Sequence, residues 1–260
     1  MNSSLMKSRV FAFLALVLLL YFFVVPAVFT HNVVELAKDG KGEKISELTQ
    51  KVWNFYQKGR YVSPTTPKDI AQDLRKLVGE DMEIGVATAP IWYVALEAPN
   101  YPKESFPNGI PVYYHFDGFS GDVFEMNTIN HFIGMDPMER GAPYLRMVAP
   151  YALVFVALII VLFIIYDSKI LNLLMLIPVV LPVVFLGFYS YWLYWFGHNM
   201  HDWGAFKIKP FMPTVFGDGK VAQFTTHSYP TVGFWVLIAI SILSLLAIVA
   251  KKKYYKSMSM

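Results

Sequence analysis

The chain of 260 residues contains no cysteine. It therefore has no disulfide, no thiolate metal site and no Cys-x-x-Cys-His motif, which excludes covalent attachment of a c-type haem. The lack of thiols suits an oxidising compartment, where free cysteines are lost to disulfides. Charge is also scarce: 22 basic and 19 acidic residues give a net charge of +3, which is too small an excess to predict a nucleic acid partner.

Charged residues are missing entirely from four long apolar stretches, at residues 10–29, 147–166, 170–196 and 231–250. Each stretch is long enough to cross a hydrocarbon core about 30 Å thick as a helix of about 20 residues. None of them contains a histidine, which excludes a haem ligated by two histidines inside the bundle. None contains the acids or bases that mark proton relays and ion pathways, so a pump or coupled transporter is not expected.

Basic residues are concentrated on one side of these spans. The first nine residues, the link at 167–169 and the tail from residue 251 hold seven Lys or Arg against one Asp, whereas the remaining segments hold 15 basic and 18 acidic residues. The positive-inside rule then predicts that both termini are cytoplasmic. The first stretch is longer than a signal-peptide core and lacks a small-residue cleavage site, so we expect an uncleaved anchor. The predicted location is the inner (cytoplasmic) membrane of a bacterium or archaeon, crossed several times.

This topology divides the chain into five parts: a cytoplasmic N-terminus with the first span (1–30), an extracytoplasmic domain (31–146), spans two and three (147–196), an extracytoplasmic loop (197–230), and the fourth span with a basic cytoplasmic tail (231–260). The extracytoplasmic domain has 116 residues, enough to build a modest core of its own. The predicted fold class is therefore an α-helical membrane protein with four transmembrane helices, N-in and C-in, and a domain inserted between spans one and two.

Residue periodicity predicts that the inserted domain is α+β. Helical spacing of apolar residues is found at 45–55 and again at 66–78, where Thr-Pro begins the pattern. Strand patterns follow at 82–87, 92–97 and 110–116, and residues 118–121 close a hairpin. The 197–230 loop has prolines and glycines that prevent a long helix and many aromatic residues, so we expect it to pack on the domain or lie at the lipid interface.

All six histidines fall on the predicted extracytoplasmic side, and several lie close to methionines in the sequence. The candidate metal ligands are His131, Met135, Met138, His198, Met200, His201 and His227. Imidazole and thioether are soft ligands that suit Cu(I), whereas zinc more typically takes Cys, His and carboxylate, so copper is the predicted cofactor.

Helical spacing predicts how these donors would converge. If residues 131–138 are helical, the first three candidates share one face at i, i+4 and i+7, although Pro137 is placed to break the helix. His198 and His201 would likewise face together at i and i+3, with Asp202 placed to orient an imidazole. We expect structural roles for His31 and His115. A structural role remains the alternative for each candidate, because methionine fills irregular cores and many histidines are simply hydrogen bonded.

Five motifs carry a resemblance to a known family. They are Leu96-Glu-Ala-Pro-Asn-Tyr-Pro102, Phe119-Ser-Gly-Asp-Val-Phe-Glu-Met-Asn-Thr-Ile-Asn-His-Phe-Ile-Gly-Met135, Tyr194-Trp-Phe-Gly-His-Asn-Met-His-Asp202, Lys209-Pro-Phe-Met-Pro-Thr-Val-Phe-Gly217 and Phe224-Thr-Thr-His-Ser-Tyr-Pro230. In these stretches the chain resembles the NosB-type membrane accessory proteins of atypical (clade II) nitrous oxide reductase systems. The resemblance begins near residue 80 and emphasises Asn130, His131, Gly134, Met135, His198, Asp202, Pro210, Phe211, Pro213, Gly217, Ser228, Tyr229 and Pro230.

The resemblance implies a maturation or support role for a periplasmic copper enzyme of nitrous oxide respiration (denitrification), and no reaction of its own. The predicted function is thus a non-catalytic membrane accessory protein that binds or relays copper at the outer membrane face. Its expected partners, besides membrane lipid, are the copper enzyme or other membrane maturation subunits. Two alternatives stay open: a subunit of a membrane redox complex with a quinol site near Trp192, Tyr194 and Trp195, or a purely structural membrane anchor.

Overall fold

The computed structural model describes residues 3–39, 88–99, 106, 108–121, 123–138, 142–202, 204 and 207–258. The helices predicted at 45–55 and 66–78 and the strand predicted at 82–87 lie outside these residues. Elements are numbered here along the described part of the chain.

Four of the helices are long and apolar enough to cross a membrane, as the sequence predicts. The helices are α1 (Ser3–Asp39), α2 (Val123–Phe132), α3 (Ala142–Ile165), α4 (Lys169–Leu174), α5 (Leu176–His198) and α6 (Val232–Met258). The four candidate spans are Ser3–Phe23 in α1, Tyr144–Ile165 in α3, Lys169–His198, which comprises α4 and α5, and Val232–Met258, which is α6. Short α2 is the exception, since it belongs to the sheet region rather than to the bundle.

Local chemistry explains where the third span begins and why it is interrupted. The side chain of Ser168 caps α4 by accepting a hydrogen bond from the Ile170 N–H at 3.3 Å. The break at Met175 follows from Pro178, which has no N–H to donate to the carbonyl of Leu174 four residues earlier. Because both helices are apolar, the pair still counts as one span of 30 residues, Lys169–His198.

The long helices pack in the order α3, α1, α6 and α5. Small residues allow α1 to approach closely: Ala12 and Ala15 are fully buried, and the Ser8 hydroxyl donates to the Ala247 carbonyl of α6 at 2.8 Å. At the same end, Lys251 of α6 is fully buried. Helices α3 and α5 occupy the two flanks of this arrangement.

A sheet of five antiparallel strands lies at the opposite end of the bundle, with strand order β3-β2-β1-β5-β4. The strands are β1 (Trp92–Glu97), β2 (Ile110–His115), β3 (Gly118–Gly121), β4 (Gly217–Val221) and β5 (Phe224–Pro230). The first three confirm the predicted strands at 92–97 and 110–116 and the hairpin at 118–121. Strand β2 ends one residue early, because Phe116 and Asp117 form the turn between the paired residues His115 and Gly118.

The 197–230 loop is more regular than the sequence predicts, because it supplies two of the five strands. Strand β5 pairs with the whole length of β1, with Trp92 opposite Pro230 and Glu97 opposite Thr225. The sheet is therefore built from both segments that the predicted topology treats separately, 31–146 and 197–230. Its central pairing joins parts of the chain more than 120 residues apart, as the register of β1 and β5 shows.

Strand β5 runs directly into α6, and this connection fixes the sheet on the bundle. Thr231 donates its hydroxyl to the Pro90 carbonyl at 2.6 Å and its N–H to the Ile91 carbonyl at 3.0 Å. Gly233 lies so close to the same loop that a Cβ there would meet the Pro90 oxygen. The buried ring of Trp92 packs over Phe234 of α6, with ring centroids 5.1 Å apart. The sheet and the helices thus share one core.

Candidate functional site

Two segments meet at the sheet end of the bundle, and we call their meeting point the junction: residues 133–138, after α2, and residues 197–202 with 204, at and after the end of α5. The His201 N–H donates to the Gly134 carbonyl at 2.7 Å. Gly134 has φ +80°, and a Cβ there would meet the His201 oxygen, so this approach requires glycine. The junction places segments that are 60 or more residues apart in direct backbone contact.

His201 contacts a buried acid across the junction. Its Nε2 lies 3.0 Å from Oδ1 of Asp136, whose side chain is 6% exposed, whereas the His201 side chain is 36% exposed. The sequence predicts Asp202 for this orienting role, but Asp202 is exposed and the carboxylate beside the imidazole is that of Asp136. Such a pairing fixes the ring and positions it at the edge of the junction.

His198 and His201 do not share one face of a helix, so the predicted helical i, i+3 spacing is wrong. Helix α5 ends at His198, and Asn199 leaves the helical conformation before His201 is reached. The His198 ring instead stacks on Tyr194, with centroids 3.9 Å apart, and its Nδ1 lies 2.9 Å from the Tyr194 carbonyl. A carbonyl can only accept, so Nδ1 donates to it, and Nε2 is the ring nitrogen left to face a ligand on this exposed side chain.

The predicted helical stripe of His131, Met135 and Met138 is also wrong, because α2 ends at Phe132. The chain turns at Gly134, and the Met135 N–H returns to the Asn130 carbonyl at 2.8 Å. Met135 and Met138 then point inward, with 7% and 6% of their surfaces exposed. The side chain of His131 lies outside the described residues, as does that of His31.

Met135 and Met138 line one cavity of about 90 Å³ together with Met126, a residue that the sequence analysis does not single out. This methionine cavity lies between the sheet, α2 and the end of α5, and no charged side chain lines it. The Met138 N–H is held by the side-chain oxygen of Asn127 at 3.0 Å. The sequence signal that could have identified Met126 as a cavity residue is its position on α2, shortly before the predicted ligands. Met200, from the other segment, is half-buried against the same core.

His227 lies on the other face of the sheet. Phe224 and Thr226 of β5 line the methionine cavity, so the alternating side chain of His227 points away from it. Its Nδ1 lies 2.7 Å from Asp218 Oδ1 and its Nε2 lies 3.2 Å from Glu97 Oε1. Both ring nitrogens therefore face carboxylates, and the hydrogen bond with Asp218 raises the pKa of His227 above its ordinary 6.5, despite partial burial that lowers it.

His115 has the structural role expected for it. Its Nδ1 lies 2.7 Å from the Thr88 carbonyl and its Nε2 lies 2.7 Å from the Ser120 hydroxyl. Burial lowers the pKa of His115 to about 4, and the opposing effect of the Asp117 carboxylate is smaller. The imidazole is thus neutral at pH 7, with Nδ1 donating to the carbonyl and Nε2 accepting from the hydroxyl.

The donor set can be compared with the demands of different metals. Among the described residues, no three His, Asp or Glu side chains converge to hold an ion, so that part of the chain offers no zinc-type site. The uncharged cavity lined by Met126, Met135 and Met138 has the thioether character that Cu(I) accepts at low coordination number. The residues present therefore fit Cu(I) better than a harder ion.

No family model, no curated protein and no solved structure matches this chain. The likeness to NosB-type accessory proteins accordingly rests on the five sequence motifs alone. All five motifs contribute residues to the junction, the methionine cavity or the central strands: the end of β1 at Leu96, the segment ending at Met135, the end of α5, the stretch at 209–217 and strand β5.

Proposed function

We propose that this protein is a non-catalytic inner-membrane accessory factor for a periplasmic copper enzyme, with both termini in the cytoplasm and the sheet in the periplasm. In this role it holds Cu(I) at the junction and passes it on to the enzyme or to another maturation subunit. The resemblance supplies the copper enzyme of nitrous oxide respiration as the client, and the lysine-rich tail after residue 250 supports the orientation.

One observation carries the proposal: the two segments that supply the soft donors Met135 and His201 are in direct backbone contact at the junction. Met135 follows Gly134, whose carbonyl accepts the His201 N–H, and Asp136 contacts the His201 ring. Thioethers provide soft ligands without the oxidation to disulfides that removes thiols outside the cytoplasm. Methionines also fill cores without binding anything, so the proposal depends on the donors acting together rather than on any one of them.

The positions of the donors suggest an order of events. His201 and His198 lie at the accessible edge, where an incoming Cu(I) meets imidazole first. The thioethers of Met135 and Met138 lie deeper and would take the ion by ligand exchange, with no change in oxidation state. His227 has no part in this site, because it lies on the other face of the sheet and both of its ring nitrogens face carboxylates, those of Asp218 and Glu97.

Cu(I) binding under reducing conditions, measured by competition with a chromogenic chelator, tests the proposal. The purified full-length protein should bind about one Cu(I), and combining His198→Ala with His201→Ala should weaken binding by at least about tenfold, or 1.4 kcal/mol. Met135→Leu conserves volume while removing the thioether, so it should weaken binding without loosening the fold. Met147→Leu is the matched control, because Met147 is an exposed residue of α3 and should leave affinity unchanged.

A double-mutant cycle then asks whether the two segments form one site. If Met135 and His201 hold the same ion, Met135→Leu and His201→Ala should be strongly non-additive, because either change disables the same unit. Additive losses, or a silent Met135→Leu, would refute a shared site. Failure of the wild-type protein to bind Cu(I) would refute the copper role and favour the structural anchor, for which the shared core of sheet and bundle is already suited.

A further inference from the structure

Helices α3 and α5 are separated by a groove at the sheet end of the bundle. Helix α3 packs on α1 and α5 packs on α6, so these flanking helices face each other across a gap. The gap has an inner compartment of about 220 Å³ and a wider outer one of about 500 Å³. Both are lined by Leu145 and Val148 of α3 and by Phe188 and Trp192 of α5, so the two compartments adjoin, and we call the pair the lateral groove.

The walls of the lateral groove are unusual in their share of aromatic rings. Six of the eight residues that line the outer compartment are aromatic: Tyr144, Phe188, Tyr191, Trp192, Trp195 and Phe196. The inner compartment reaches Phe185 and Val156 between the two helices and is also lined by Tyr114, His115, Phe116 and Phe119 of the β2–β3 hairpin; its accessible surface is almost wholly apolar. Both walls belong to candidate membrane spans, so a ligand would enter from the lipid phase. The space suits a molecule with a flat ring and an apolar chain.

Trp192 places one hydrogen-bond donor, its indole N–H, in this largely apolar groove. Its ring is held by Phe196, stacked at 5.6 Å, and by Phe188, edge-on at 5.4 Å. The indole Nε1 is buried and has no hydrogen-bond acceptor among the described residues. An unsatisfied buried donor is destabilising, and that cost is removed when an acceptor oxygen occupies the groove.

We propose that the lateral groove binds a lipid-soluble quinone, with the ring in the outer compartment, a carbonyl oxygen on Trp192 Nε1, and the isoprenoid tail in the inner compartment. Aromatic walls stack on a quinone ring, whereas a saturated acyl chain makes no stacking contact. A partner helix about 10 Å across is too wide for the inner compartment. Taken together, the two compartments have a volume within the range of small-molecule sites, about 300–1,000 Å³. The proposal concerns binding alone and does not depend on copper.

Of the three residues that the sequence connects with a quinol site, two line the lateral groove. Trp192 and Trp195 line the outer compartment. Tyr194 does not, because its ring lies under His198 on an exposed part of α5. Selective loss of binding should therefore follow changes at Trp192 but not at Tyr194.

Two measurements on the full-length protein test the proposal. Protein purified in mild detergent is extracted with organic solvent, and retained quinone and phospholipid are quantified by chromatography. The same protein, stripped and placed in nanodiscs of synthetic phosphatidylethanolamine, is then titrated with a naphthoquinone bearing a short isoprenoid tail. We expect quinone retained near stoichiometrically and saturable binding in the nanodiscs.

Matched variants localise the binding. Trp192→Phe keeps a ring but removes the N–H, and should weaken quinone binding about tenfold, the effect of one hydrogen bond. Val148→Trp fills the space between the compartments and should abolish binding even if Trp192→Phe proves unstable. Trp235→Phe, on an exposed part of α6, should bind as the wild type does. Retention of phospholipid alone, no saturable binding, or full binding by Val148→Trp would overturn the proposal.

Discussion

The hydroxyl of Ser228 joins four parts of the molecule, and its removal should release the sheet from the bundle. Ser228 is fully buried in β5. Its Oγ donates to the Val215 carbonyl at 2.8 Å and accepts from Trp92 Nε1 at 2.8 Å. The Tyr189 hydroxyl of α5 lies 2.9 Å from the same oxygen. Because the single Ser228 proton is used by Val215, Tyr189 must be the donor in this contact.

Ser228→Ala leaves three groups without their partner: two buried donors, on Trp92 and Tyr189, and one partly buried acceptor, the Val215 carbonyl. Each unsatisfied group costs about 1–3 kcal/mol. Relaxation of the tyrosine hydroxyl recovers part of this, so we expect a loss of about 3–5 kcal/mol. Tyr189→Phe removes one donor and leaves the other bonds of Ser228 intact, so it should cost about 1 kcal/mol.

Hydrogen exchange read by mass spectrometry is the suitable assay, because thermal unfolding in detergent does not separate sheet from bundle. In Ser228→Ala, amide exchange in β1 and β5 should accelerate about a hundredfold or more, whereas amides in the middle of α3 should keep their protection. Ser241→Ala is the control, because that hydroxyl has a single partner in the part of the chain that the structure describes, the Val179 carbonyl at 2.6 Å.

Wild-type exchange in β1 and β5 of the Ser228→Ala protein would refute this reasoning. So would equal acceleration in every helix, since the hydroxyl would then support the whole fold rather than the attachment of the sheet. An effect of Tyr189→Phe as large as that of Ser228→Ala would show that the tyrosine, and not the serine, is the centre of the network.

The helices could be predicted from sequence because one physical requirement determines them, the pairing of backbone polar groups inside a membrane. Uncharged runs of about 20 residues have no stable alternative to a helix in a membrane, where every backbone group must be paired within its own segment. The local strands at 92–97 and 110–115 could be predicted equally well, since the buried residues Ile110, Val112 and Tyr114 alternate along the sequence.

Strands β4 and β5 were missed because their stability comes from a distant partner. Gly217 and Gly219 argue against a strand by propensity, yet β4 pairs with β5, and β5 pairs with β1, more than 120 residues earlier. The alternation of Phe224 and Thr226 with more exposed neighbours was the available signal. It could not indicate which strand would pair with it.

The junction shows the same division between local and distant effects. The end of α2 was readable from Gly134, which lies two residues beyond the last helical residue and has the positive φ typical of helix ends. The identity of the acid beside His201 was not readable. Asp202 is its neighbour in sequence, but Asp136 is its neighbour in space, because the backbone bond to Gly134 sets the register of the two segments.

Two further predictions concern charged side chains at opposite ends of the molecule. Lys251 donates to two carbonyls at the end of α3, at 2.8 and 2.6 Å, so Lys251→Met should destabilise the bundle by about 2–4 kcal/mol in thermal unfolding, whereas Lys252→Met, at an exposed position, should have little effect. His227→Gln tests the contacts between the His227 ring and the carboxylates of Asp218 and Glu97. The hydrogen bond with Asp218, together with Glu97, raises the pKa of His227 above its unfolded value of 6.5, so the native state holds this proton more tightly than the unfolded state. The stabilisation is fully present below 6.5 and is lost as the pH rises through the folded pKa. The difference in melting temperature between wild type and His227→Gln should therefore be largest at about pH 5.5 and should shrink by about pH 8.5. A difference that stays constant between these pH values would mean that His227 acts through packing rather than through its charge.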